Sequence, residues 1–206
     1  MLCPDVDLGF AEHPVHGSSA QAPEIKQVVA LCRERRVAID VGAHIGIWSL
    51  ELSRHFQEVH AFEPVQDNFS CLEQNTHGRP VVCHKVALGD SDGFCVMELP
   101  AKGNSGMWGV AEGQVPGRIV PLNQIDRYGF VDVGLIKIDV EGFEGNVVSG
   151  ARDTITHSLP VIVFEDNGLG PRRYGADWIN PKEVLADLGY KKFRRVNKDE
   201  IWVPSP

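Results

Sequence analysis

Fourteen residues constrain this chain more than any others: Val37-Ala38-Ile39-Asp40-Val41-Gly42-Ala43-His44-Ile45-Gly46-Ile47-Trp48-Ser49-Leu50. The first half is an apolar run of strand length, and the second half opens an apolar pattern of helical spacing. Between them lies a turn with Asp40 at the strand end and glycines at 42 and 46. Glycine reaches positive φ and lets a ligand approach the backbone closely. A helix starting near Ile45 aims unpaired N–H groups and a partial positive charge at that turn. Strand, glycine turn and helix in this order predict a nucleotide-type cradle at the edge of a parallel sheet.

The identity of the first acid narrows the choice of cofactor. A dinucleotide fingerprint carries three glycines as G-x-G-x-x-G, with its acid only on the second strand. Here the pattern is Asp-x-Gly-x-x-x-Gly, built from Asp40, Gly42 and Gly46. An acid on the first strand repels a pyrophosphate, yet it receives the cationic amino group of S-adenosylmethionine, directly or through water. Gly42 lets the methionine part lie against the backbone, and the amides around Ala43, His44 and Ile45 are expected to face its carboxylate. The next apolar run, Val59 to Phe62, ends at Glu63-Pro64. An ionised carboxylate only accepts hydrogen bonds, so Glu63 is expected to take both ribose hydroxyls. Nicotinamide and methyl-donor proteins both use such an acid; Asp40 favours the methyl donor.

The rest of the chain continues the alternation. Helical spacing runs from Pro23 to Arg36, from Ile45 to about His55, from Asp67 to Thr76, from Glu144 to His157 and from Pro181 to Leu188. Strands are expected at Val37–Val41, Val59–Phe62, Val81–Val86, Phe94–Leu99, Arg118–Leu122, Leu135–Val140 and Val161–Glu165. The end, Tyr190–Val196 and Glu200–Val203 around Asn197-Lys198-Asp199, reads as a hairpin. Strands alternating with helices give a parallel sheet whose ligands sit at the carboxyl rim. The expected architecture is α/β: a three-layer Rossmann-like class I methyltransferase fold, with a seven-stranded, mainly parallel sheet and an antiparallel C-terminal hairpin. At 206 residues it is read as a single domain, residues 37–206, with residues 1–36 as an arm and helix packed on the core. His13 and His16 on the arm read as solvent-exposed. The glycine-rich stretch 101–117, with Met107 and Trp108, reads as a lid or substrate wall.

Composition enters through what it excludes. A net charge of −8 argues against nucleic acid and anionic membrane as partners. No apolar run reaches spanning length, and the first residues lack signal-peptide features. Five scattered cysteines without a C-x-x-C pair fit reduced thiols in the cytoplasm and no cysteine-based zinc site. Oligomeric state has no signal in the sequence.

With these residues laid out, the chain resembles the FkbM family of S-adenosylmethionine-dependent methyltransferases. The likeness rests on Ile39 to Gly46, on Ala61-Phe62-Glu63-Pro64 and on Ile136-Lys137-Ile138-Asp139-Val140-Glu141-Gly142-Phe143-Glu144. It continues through Val148-Ser149-Gly150-Ala151 and Pro160 to Glu165. Where the family usually has asparagine in the glycine turn, this chain has His44. The resemblance implies O-methylation of a hydroxyl on a small molecule, sugar or glycan, with S-adenosylmethionine as cofactor.

Methyl transfer from a sulfonium asks for nucleophile, methyl carbon and sulfur in line, in a dry pocket. A hydroxyl nucleophile also needs its proton accepted. If the strand stays extended, Lys137, Asp139 and Glu141 share one side, with Asp139 at the rim. Asp139, Glu141 and Glu144 are therefore the catalytic candidates, and Glu165 completes an acidic cluster. Equally, Lys137 and its acids can form an ion-pair network, and Glu144 can serve a helix start. Asp40, Gly42, Ala43, His44, Gly46, Glu63, Pro64, Ala87 and Asp139 are the expected donor-site residues; no metal is expected, since two separated acids signal a hard cation only weakly. Ala87 leaves the third strand beside the adenine position, and Asp90 is either an adenine contact or a turn former. The rivals are a nicotinamide-dependent oxidoreductase and a non-catalytic binding module. A base methyltransferase is disfavoured by charge and by the lack of an Asn/Asp-Pro-Pro-Tyr motif.

Overall fold

The computed structural model describes residues 1–3, 22–99, 105–111 and 117–206. The arm with His13 and His16, and the parts of the glycine-rich stretch at 100–104 and 112–116, lie outside the described residues. One sheet of seven strands forms the frame: β1 (Val37–Val41), β2 (Glu58–Phe62), β3 (Val81–His84), β8 (Val133–Ile138), β9 (Val161–Glu165), β10 (Tyr190–Val196) and β11 (Asp199–Pro204). Their order across the sheet is β10-β11-β9-β8-β1-β2-β3. All neighbours are parallel except β11, which runs antiparallel to both β9 and β10. The expected layout, a mainly parallel sheet closed by an antiparallel hairpin, is the one observed.

The alternation of strand side chains divides the core. Val37, Ile39 and Val41 pack with Ile136, Ile138, Val147 and Ile155 on one face. Ala38 packs on the other, with Trp48, Leu52, Leu135 and Ile201. The first face is covered by α4 (Glu144–Ser149), α5 (Arg152–Ser158) and α7 (Pro181–Asp187), the second by α1 (Ala22–Val29) and α2 (Ile47–Leu52). α1 ends at Val29, short of the Arg36 its periodicity indicated, and the chain beyond it packs its Glu34 carbonyl against Gly134, where any β-carbon would overlap it. The expected helix from Glu144 to His157 is two helices. Gly150 breaks it where its backbone meets that of Gly89, and Asp126 caps the second helix by accepting from the Asp153 and Thr154 amides at 2.9 and 2.8 Å. No described helix is long and apolar enough to cross a membrane.

A second, four-stranded sheet stands between β3 and β8 in the chain: β4 (Ala87–Leu88), β5 (Gly93–Glu98), β6 (Gly109–Val110) and β7 (Arg118–Asn123), ordered β4-β7-β5-β6. Strand three therefore ends at His84 rather than Val86, and Ala87-Leu88 belongs to this second sheet. The consequence for ligand binding is geometric. The chain steps outward from β1 to β2 and β3, then returns to place β8 on the other side of β1. Strand order reverses between β1 and β8, and open α/β sheets leave a crevice beyond the strand ends at that point.

Candidate functional site

A cleft of about 270 Å³ occupies that crevice. Its floor is Val41 and Gly42, its walls include Glu63 and Asp139, and Trp108 and Val110 close it from the second sheet. The floor turns sharply. Gly42 has φ 75° and Gly46 has φ 93°, both left-handed, and His44 sits at φ 52°. The amides of Gly42 and Ala43 both donate to the Phe62 carbonyl at 3.0 Å, which ties the turn to the end of β2. The His44 amide donates to Glu63 Oε2 at 3.0 Å. Of the amides expected to meet a ligand carboxylate, those of Ala43 and His44 are thus engaged within the chain. Gly46 lies at the start of α2, against Leu72 and Thr76 rather than the cleft.

Asp40 is fully buried and does not line the cleft. It points to the α2 side of the sheet, where Ser49 Oγ donates to Oδ2 at 2.6 Å and Lys137 Nζ stands 3.8 Å from Oδ1. Lys137 is its direct neighbour across the β1–β8 register. Burial raises the pKa of Asp40, opposed by Lys137 and Ser49. Burial also works against the Lys137 charge, but Asp139 and Asp40 outweigh it and hold that ammonium charged. The first-strand acid therefore underpins the rim through Lys137, which in turn donates to Asp139 at 3.1 Å.

Glu63 does line the cleft, with Pro64 beside it. Its carboxylate accepts from the Val65 amide at 2.8 Å, the Asn68 side-chain amide at 3.5 Å and the His44 amide. Burial pushes its pKa up to about 7 against these donors. Asn68, on helix α3 (Gln66–Thr76), also donates to the Ser105 carbonyl at 3.1 Å, and His44 Nε2 is 2.6 Å from Ser105 Oγ. The 105–111 segment is thereby tied to the glycine turn. Ala87 lines the cleft, and Trp108 is backed by the Arg118 guanidinium at 5.0 Å.

The opposite wall is acidic. Asp139, Glu141 and Glu165 all line the cleft, and each offers an oxygen within 4.8 Å of the others. Extended geometry does not bring them together. β8 ends at Ile138, and the chain turns through Glu141 at φ 55° and Gly142 at φ 105°. Gly142 abuts Gly170 in α6 (Leu169–Tyr174), where an added β-carbon would stand 3.0 Å from the Gly170 backbone. Burial, then repulsion from Asp139 and Glu165, pushes the Glu141 pKa up to about 7, opposed by Arg173 and Lys198. A carboxylate poised there can hold or accept a proton near neutrality. Arg173 is anchored to Glu98 at 2.7 Å, which joins α6 to the second sheet. The three oxygens have the chemistry of a hard-cation site, but Lys137 and Arg173 already supply positive charge to this wall.

Glu144 faces away from the cleft. It is buried, and its Oε1 accepts from the Gly142 and Val140 amides at 3.0 and 3.4 Å, so it holds the turn that carries Glu141. Burial raises its pKa to about 7. Asp90 is exposed in a turn outside the cleft lining. Asn68, Ser105 and Arg173 escaped the sequence reading. Asn68 had a signal: it is a polar residue on the buried stripe of α3, with Cys71 and Leu72.

Comparison with known proteins accords with this geometry. The model of the methyltransferase FkbM domain matches residues 40–192. A hexuronic acid methyltransferase, AglP, of Haloferax volcanii is 27% identical over 187 residues, covering 87% of this chain and 74% of that protein. The crystal structure of an FkbM methyltransferase from Methylobacillus flagellatus aligns with a TM-score of 0.60 at 18% identity, over 84% of this chain but only 45% of that one. A precorrin-6y C5,15-methyltransferase from Geobacter metallireducens aligns with a TM-score of 0.52 at 14% identity, over 93% and 90% of the two chains. These structural likenesses are of fold, the class I methyltransferase sheet. Matched by the family model over well more than half of its length, the chain belongs to the FkbM methyltransferase domain family.

Proposed function

We propose that the protein transfers a methyl group from S-adenosylmethionine to a hydroxyl oxygen of a small molecule or glycan. The observation that carries this reading is the pairing of two walls across one cleft: Glu63 on the β2 side, and the Asp139–Glu141–Glu165 group on the β8 side. Glu63 has an acceptor to offer a nucleoside hydroxyl, and the Gly42 backbone forms the floor beside it. The donor, when bound, supplies an electrophilic methyl on a sulfonium. The acceptor oxygen bonds to that carbon as the carbon–sulfur bond breaks, and sulfur keeps the bonding pair. The proton of the acceptor hydroxyl goes to Glu141, with Asp139 and Glu165 orienting the acceptor. Asp139 is itself held by Lys137, and Glu144 fixes the turn beneath Glu141. Met97 and Val110 of the second sheet, with Trp108 beside them, give this cleft an apolar wall against water.

Sugar acids are the first acceptors to try, because the Haloferax relative is named for hexuronic acid. Transfer of labelled methyl from S-adenosylmethionine to a panel of hexuronic acids, neutral sugars and phenols tests the reading. Label should enter as an acid-stable ether, and Glu141→Gln should lower kcat by about 100-fold. Label on nitrogen or as a hydrolysable ester, or an unchanged Glu141→Gln rate, contradicts it.

A further inference from the structure

Ser105 is held at both of its polar groups by the Glu63 side of the cleft. Its hydroxyl lies 2.6 Å from His44 Nε2, and its carbonyl accepts from Asn68 Nδ2 at 3.1 Å. The residue is 1% exposed, so breaking either contact leaves a buried polar group unpaired. His44 belongs to the glycine turn, where it sits at φ 52° and its own amide donates to Glu63 Oε2 at 3.0 Å. Glu63, His44, Ser105 and Trp108 all line the cleft. His44 therefore joins the β2-side carboxylate to the stretch of chain that carries the aromatic wall.

The other end of that stretch is fastened elsewhere. The Tyr174 hydroxyl donates to the Val110 carbonyl at 2.8 Å, and the Ala111 amide donates to the Val96 carbonyl at 2.7 Å. Trp108 stands between the two attachments, with the Arg118 guanidinium over its ring at 5.0 Å. The Val110 end answers to α6 and the second sheet, and the Ser105 end to the glycine turn. A ligand seated on that turn thus has a mechanical route to the Trp108 wall, whether or not it touches the ring.

We propose that His44 is a positioning residue that makes the Trp108 wall respond to the methyl donor: the donor holds the glycine turn, the turn holds Ser105 through His44 Nε2, and Ser105 fixes the chain leading to Trp108. This rests on the donor-site reading of the cleft and adds to it an order of events. A ligand shifts an equilibrium only toward the arrangement it contacts better. The donor's contacts and the Ser105 contact both need the turn in the same place, so each strengthens the other. The donor then precedes the acceptor, which enters a cleft whose aromatic wall is already set. Side-chain reach separates this role from a backbone one. The amide nitrogen of glutamine extends about as far as histidine Nε2, whereas that of asparagine stops near the place of Nδ1. Asparagine, in turn, tolerates the left-handed backbone at position 44 better than glutamine does. A backbone role favours His44→Asn, and a role through Nε2 favours His44→Gln.

Hydrogen exchange of the full chain, with and without S-adenosylhomocysteine at concentrations that calorimetry shows to be saturating, tests the coupling. In the wild type the ligand should slow exchange of the 105–111 amides by about 5-fold or more. The slowing should persist in His44→Gln and fall below about 2-fold in His44→Asn. Ser105→Ala leaves the backbone at position 44 untouched, keeps the carbonyl that Asn68 reaches, and should also fall below about 2-fold. It decides alone if the His44 variants fail to fold or to bind. Slowing at the wild-type level in His44→Asn or Ser105→Ala, its loss in a folded, ligand-bound His44→Gln, or no slowing in the wild type overturns the coupling while leaving the donor site standing. A wild type that binds no S-adenosylhomocysteine overturns both.

Discussion

A β-carbon placed on Gly42 would overlap the carbonyl oxygen of Asp139, so the ends of β1 and β8 touch at the floor of the cleft with no room between them. Gly42 also sits at φ 75°, a conformation costly for a residue with a side chain. Gly42→Ala should therefore cost more than about 2 kcal/mol of stability. It should also weaken S-adenosylhomocysteine by at least about 10-fold. Thermal unfolding and calorimetry measure the two effects; a variant with wild-type values in both would show that the rim yields.

The pairing of Asp40 with Lys137 has its own signature. Removing one partner of a buried ion pair leaves an uncompensated charge, at a cost of about 3–5 kcal/mol. Lys137→Met should lower stability by that order, and the double variant with Asp40→Asn should recover most of it. Non-additivity in a double-mutant cycle by urea unfolding is the readout. Purely additive effects would mean the two side chains do not depend on each other.

That pair also marks where sequence reasoning reaches its end. Asp40 looked like a ligand contact because it closes an apolar strand before a glycine turn. Strand alternation places it on the Ala38 side of the sheet, but its partner is 97 residues away on β8, a register that no local pattern encodes. The seven-stranded sheet was legible because its buried strands and helices are long and periodic. Of the second sheet only the two longer strands were legible, near Phe94–Leu99 and Arg118–Leu122, since Ala87–Leu88 and Gly109–Val110 are two-residue strands without a period. The acids of the 139–144 run were legible as a group. Their division between cleft and turn was hidden by the left-handed backbone at Glu141, a conformation uncommon outside glycine.

Glu144 should behave as a structural acceptor. Glu144→Ala removes the acceptor for two amides and should cost about 1–3 kcal/mol. Glu144→Gln keeps an oxygen in place and should cost less. A methyl-transfer rate in Glu144→Gln within about 3-fold of wild type fits the turn-holding role, whereas a loss of about 100-fold or more in a fully folded variant would move Glu144 into the reaction itself.

Titration of Glu141 gives a dependence of stability on pH. Burial and the neighbouring acids raise its folded pKa from the ordinary 4.5 to about 7, so the folded state holds the extra proton between those values. Stability contributed by that proton is present below the window and is lost as pH rises through about 7. At pH 8 Glu141→Gln should be more stable than wild type by on the order of 1 kcal/mol, a discounted figure for a half-buried group. That is about 2–4 °C in Tm for a chain of this size, and the gain should vanish at pH 4. Melting curves at the two pH values check it, and a gain independent of pH would assign the effect to something other than this proton.

The most direct measurement is a calorimetric titration of the wild-type chain with S-adenosylhomocysteine and, separately, with NAD. One molecule of S-adenosylhomocysteine should bind per chain, at least about 10-fold more weakly to Gly42→Ala, and NAD should give no heat. Saturable binding of NAD, or no binding of the nucleoside thioether, would contradict the donor-site reading.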